Sequence, residues 1–167
     1  MSTSTNPNFL SQTGFQLVID RIPNVSYFAQ DVKLPGISMP EAMNQDSPFG
    51  TIPHPGDRIR WEPLSIAFKV DENLVNYKEI YNWIVGLGHP KNFGQTLALA
   101  PDAKAKNFVS DAILHVLTSH KNVVKAVTFM RIFPISLSGL QFVSTDADVL
   151  YLDATVQFMY SRYEFSL

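Results

Sequence analysis

Four histidines, a serine-bearing turn and two closely spaced aspartates are the residues of this 167-residue chain whose chemistry must be weighed first. His115 and His120 lie five apart in HVLTSH. On a strand that spacing places them on opposite faces, and neither belongs to a recognisable metal-ligand pattern. His54 stands between Pro53 and Pro55, and His89 precedes Pro90; turn positions account for both. SLSGL (136–140) comes nearest to a nucleophile elbow but lacks the first glycine of G-x-S-x-G, so it reads as a turn between strands. Asp146 and Asp148 in STDADV resemble a carboxylate pair, yet acids in a Ser/Thr/Asp turn are ordinary solvated turn formers. Neither phosphate-cradling glycine motif occurs. With no cysteine, thiol nucleophiles, disulfides and thiolate-bound zinc are excluded. The expectation is a protein with no catalytic residues, no metal site and no cofactor.

Composition narrows the class further. Hydrophobic residues make up 46% and charged residues 17%, the latter low against roughly a quarter in ordinary domains. The formal net charge is −2, with acids and bases interspersed, so no dense basic patch marks a tight nucleic-acid binder. Low charge suits a subunit that buries surface in a partner, and equally a monomer with an uncharged polar surface. The opening MSTSTNPNFLSQTG has neither a basic nor an apolar signal region, and no run reaches the roughly 18 apolar residues of a membrane span. One domain over 1–167 is expected, with 1–8 as a flexible tail and no membrane partner.

The elements that would carry any site are mostly strands. FQLVID (15–20) alternates Phe15, Leu17 and Ile19 against Gln16, Val18 and Asp20, and a second strand is expected over Val25–Leu34. WEPLSIAFKV puts Leu64, Ile66, Phe68 and Val70 on one face and Ser65, Ala67 and Lys69 on the other. A helix is expected over about 71–87, capped by Asp71, with Leu74, Tyr77, Ile80, Tyr81, Ile84 and Leu87 as its apolar side. Trp83 lies off that stripe and is the candidate interface residue. Further strands are expected in DAILHVLTS, VVKAVTFMRIF and VLYLDATVQFMYSRYEF. In the last, Leu150 to Tyr160 alternate apolar residues with Asp153, Thr155 and Gln157. Many strands, one helix and no β-α-β alternation predict an α+β, mostly β fold: two packed antiparallel sheets forming a small barrel with one flanking helix.

Between the second and third strands runs LPGISMPEAMNQDSPFGTIPHPGDRIRWEPL (34–64), with six prolines and three glycines. A disordered linker would be polar and highly charged. This segment instead carries Met39, Met43, Phe49 and Ile52, with His54, among stiffening prolines. Residues 39–57 are therefore expected to form an extended arm that docks on another subunit.

Three passages, read in order, resemble the tail tube proteins of contractile-tailed bacteriophages and their baseplate tube-initiator relatives. They are VKLPGIS leading into the arm, WEPLSIAFKVDE passing straight into a helix with YNWI, and FPISLSGLQFVSTDADVLYLDATVQFMY. The family is similar to the type VI secretion tube protein. The resemblance implies a structural subunit of the virion tail, made in the host bacterial cytoplasm and assembling as stacked homohexameric rings around a DNA-conducting channel. Tail sheath, baseplate and tail terminator proteins, and DNA in transit, are the implied partners. Ser65, Ala67 and Lys69, with Asp153, Thr155 and Gln157, become lumen candidates. Few cations there would let DNA slide, since phosphate affinity comes mainly from Lys and Arg; Lys69 conflicts with this unless a carboxylate pairs with it. The short chain favours the repeating subunit over the tube initiator. From another class, a monomeric β-barrel that binds an apolar ligand remains, and it requires an interior cavity rather than a filled core.

Overall fold

The computed structural model describes residues 10, 13–42, 46–47, 50–51, 54–88, 94, 99, 108–143 and 151–166. Its principal strands are β1 (Phe15–Ile19), β2 (Ala29–Lys33), β9 (Leu64–Lys69), β10 (Ser110–Leu117), β11 (Val123–Leu137), β12 (Asp153–Met159) and β13 (Arg162–Ser166). They form one antiparallel sheet in the order β1-β10-β11-β12-β9-β2, with β13 also on β11. The hinge of this sheet is the 15-residue β11, whose first part pairs with β10 and β13 and whose last part pairs with β12. At the changeover Arg131 takes a left-handed φ of 56° and its N–H donates to the Asp111 carboxylate at 2.8 Å. This is a bulge that redirects the strand, its freed amide taken up by a side chain.

The expected barrel does not close among the described residues. β1 and β2 are the two ends of the strand order and do not pair with each other. Alternation fixes the inner face as expected: Leu17 and Ile19, then Leu64, Ile66 and Phe68, then Ala154, Val156 and Phe158 are all buried. Chain reversals break the expected strands in two places. Val25–Leu34 is not one strand, because Pro23 starts a six-residue helix α1 (Pro23–Phe28) before β2 begins; proline suits a first helical turn, where its missing N–H costs nothing. The last strand breaks at Tyr160 and Ser161, where the Ser161 N–H turns to Met130 O at 3.0 Å, and β13 continues on a different part of β11.

The main helix α2 spans Val75–Gly88, four residues later than expected at its start. Asp71 does not cap it: Asp71 O accepts the Leu74 N–H at 2.8 Å, closing a turn before the helix. The buried side is Asn76, Ile80 and Trp83, so the helix is rotated from the tyrosine stripe, and Tyr81 is exposed. Asn76 is fully buried because its polar atoms are all used. Oδ1 accepts the N–H groups of Asp71 and Tyr77, and Nδ2 donates to Lys69 O at 2.8 Å, which ties the helix start to the end of β9.

Candidate functional site

The outer face of β9 and β12 collects the polar residues picked out by alternation. Cross-strand pairs are Ser65 with Gln157, Ala67 with Thr155 and Lys69 with Asp153. Neighbouring strands extend each row: Lys33 and Asp31 of β2 lie beside Ser65 and Ala67, and Ser136 of β11 donates to Gln157 Oε1 at 3.2 Å. Lys69 Nζ sits 2.6 Å from Asp153 Oδ1. The condition set on Lys69 by the sequence is met, since its charge is neutralised by a cross-strand carboxylate. The face thus carries two acids, Asp31 and Asp153, and two bases, Lys33 and Lys69, among hydroxyl, amide and methyl groups. The sequence does not mark Asp31 and Lys33, because α1 interrupts the segment expected as one strand over 25–34 and resets the faces of β2. Nor does it mark Ser136, because the bulge between Pro134 and Ser136 breaks the two-residue period.

The arm is a hairpin rather than a single extended chain. Its ladder runs through β3 (Ile37–Ser38) with β8 (Arg60–Trp61), β4 (Glu41–Ala42) with β7 (His54–Pro55), and β5 (Asp46–Ser47) with β6 (Gly50–Thr51). None of these strands joins the main sheet. Gly56 is required where the two chains converge, because a Cβ there would strike the Pro40 carbonyl. Met39 is exposed, as are Ile37 and Ile59 beside it, and His54 is exposed on β7. Met43, Phe49 and Ile52 lie outside the described residues.

At its root the arm is clamped by aromatic rings. Trp61 packs edge-on against Tyr163 with centroids 4.9 Å apart, and Phe129 and Tyr160 complete the cluster. The Tyr160 hydroxyl donates to Glu62 O at 2.8 Å and the Tyr163 hydroxyl to Pro35 O at 3.4 Å, so both chains of the root are held. Burial pushes the Tyr160 phenol up to about 12, with Tyr163 and Glu62 adding to the effect. It is a proton donor throughout the ordinary pH range.

Trp83 corrects the expectation of an interface residue. It is 1% exposed, packs 5.9 Å from Phe158 and donates its indole N–H to Phe108 O at 2.9 Å. The Arg21 guanidinium lies 5.0 Å from its ring centroid. Having no free surface, it contributes to the core. His120, for its part, follows the end of β10, so it shares no strand with His115.

A family described as phage tail tube protein matches residues 4–166. The chain belongs to that family. The tail tube terminator protein of Enterobacteria phage T4 is 27% identical over 165 residues, covering 94% of this chain and 90% of the relative. Among solved structures, the fold is shared with the sheath/tube terminator of an extracellular contractile injection system (TM-score 0.62, 15% identity, 98% of this chain and 100% of the other). It is shared too with a sheath-tube complex of such a system (TM-score 0.58, 16% identity, 99% of each chain). The family's members are structural proteins of the tail, and by family the chain is a tail tube protein, a component of a phage-like tail.

Proposed function

We propose that copies of this tail tube family member join edge to edge into a ring, six to a ring as the family resemblance implies, with the β2-β9-β12-β11 face turned to a central channel. The observation that carries this is a pair of matched open edges. β2 has β9 on one side only, and β11 beyond Ile132 has β12 on one side only, among the described residues. Every pairing between them is antiparallel, so β11 of one copy meets β2 of the next in the same alternating sense. A head-to-tail contact of this kind closes into a ring when its rotation allows, and closure leaves none of those edges exposed. The inward face is then balanced in charge, with Lys69 held by Asp153, which suits transit of DNA without retention.

Within the tail, the chain takes the terminal position, one ring at the end of the tube, by likeness to the T4 terminator over nearly its whole length. The repeating tube subunit is the second reading, supported by the family's own description. The ligand-binding barrel is the less supported reading, because among the described residues Phe68, Trp83, Phe129 and Phe158, each under 2% exposed, belong to a filled core. In this role the chain is structural and catalyses nothing.

Negative-stain imaging and native mass spectrometry of the purified chain at rising concentration test these steps. Single-layer six-membered rings support the terminal position. Long tubes transfer the chain to the repeating position. A monomer that joins neither itself nor a preformed tail tube refutes the ring.

A further inference from the structure

Ring closure uses two open edges and leaves a third, on β1. The hydrogen bonds show how it is oriented. The Leu117 N–H donates to Gly14 O at 2.9 Å, whereas the Ile19 N–H turns away from β10 to Ser26 Oγ at 3.0 Å. Even-numbered residues therefore face β10, and Phe15 and Leu17 present their backbone N–H and C=O outward, where no strand takes them up among the described residues. They open into a cleft of ≈ 690 Å³ between β1, α1 and the start of β2. An uncharged, unbulged edge such as FQLVI invites pairing, and proteins ordinarily cover it. The other spare edge, on β13, carries the Arg162–Glu164 ion pair and is protected by charge.

We infer that this cleft receives the arm of a second copy of the chain, the arm adding its free strand edge to β1. The inference rests on the ring-forming reading, since that reading assigns β2 and β11 to each other and leaves β1 and the arm as mutually available edges. Charge selects the same occupant. Asp20 is the charged side chain lining the cleft, and it has no ionic partner among the described residues. Arg58 and Arg60 are exposed on the returning chain of the arm, also without a carboxylate partner there, and the intervening Ile59 is half exposed and available to cover apolar wall. Asp57 next to them leaves this stretch net positive. Backbone pairing supplies the affinity in such an added strand, and the Asp20 contact sets its register.

The absence of cysteine allows a direct test on the full chain. Gln16→Cys on β1 and, in a separate chain, Arg58→Cys or Arg60→Cys on the arm are mixed and oxidised. A disulfide-linked dimer formed by a mixture and by neither chain alone is expected; no excess over the single variants for either arm position overturns the inference. Independently, Asp20→Arg and the pair Arg58→Asp with Arg60→Asp should each weaken association of copies at least about tenfold, because like charges are then juxtaposed. Combining the reversals should restore it, and no restoration overturns the inference. The ring has its own reporters, Asp31→Cys against Ile135→Cys. Cross-linking there without cross-linking at β1 rejects the arm docking alone, whereas the converse rejects the ring alone.

Discussion

One long hairpin runs through two different environments in this protein. Lys33 pairs with Ser65, Gly36 exchanges hydrogen bonds with Glu62, and Ile37 pairs with Trp61, a single continuous register from β2/β9 into the arm. On the body side the inward residues Leu64, Ile66 and Phe68 are fully buried. Past Trp61 and Tyr163 the ladder's described apolar residues Met39 and Ile59 are exposed, and its register slips: from Ile37–Trp61 to Glu41–Pro55 one chain advances four residues and the other six. Backbone hydrogen bonds are common to both halves, so they are not what distinguishes them. A second layer is. A two-stranded ribbon without one is marginal in water, so the arm's stability must come from its root and from whatever it docks on.

The sharpest way to separate the halves is to damage the second layer. Trp83→Ala should cost about 3–5 kcal/mol, as expected for removing a large, fully buried aromatic and leaving a cavity. Chemical denaturation followed by circular dichroism would measure it. A loss near zero would mean that α2 does not cover the sheet, and the contrast between body and arm would fail.

At the root the effect should be intermediate and dependent on pH. Tyr160→Phe removes one hydrogen bond to Glu62 O and should cost about 1 kcal/mol. The folded-state phenol is raised to about 12 from its usual 10, so the neutral form is favoured by folding. This contribution is complete below pH 10 and is lost as pH climbs through about 12, when the donor proton leaves. The stability of the wild type should therefore fall relative to that of Tyr160→Phe across that window; parallel curves would show that Tyr160 is not the group responsible.

How legible each half was follows from the same physics. Where one side of a strand is buried, alternation is enforced residue by residue, and Leu64 to Lys69 and Ala154 to Phe158 could be read directly. The polar face came with them, because Ser65, Ala67, Lys69, Asp153, Thr155 and Gln157 are what alternation leaves outside. Trp83 is not legible as a core residue because the tyrosines suggest a different helix phase. The buried stripe instead includes Asn76, a polar residue that hydropathy counts as outward and that only its complete hydrogen bonding makes an inner one. α1 was hidden by its brevity. The arm's pairing was illegible because no core imposes a period on it: its ladder consists of two-residue pieces separated by prolines and register slips. Its separateness, however, was readable from those prolines.

The smallest expected effect on stability carries the largest one on assembly. Ala42 and His54 face each other on the arm, so Met43–Pro53 can be replaced by Asn-Gly, a two-residue turn suited to joining antiparallel strands. Because β5 and β6, the described strands removed, do not belong to the main sheet, body stability should change by no more than about 0.5 kcal/mol. Rings should still form, since their edges lie on β2 and β11. Contacts made through the removed part of the arm should be lost, as read by sedimentation, whereas the cross-link between positions 16 and 58 should persist, because Arg58, Ile59 and Arg60 are kept. A destabilised body would show that the arm belongs to the core after all. Normal assembly with a stable body would show that residues 43–53 have no partner on another copy, and the docking role expected of that part of the arm would fall.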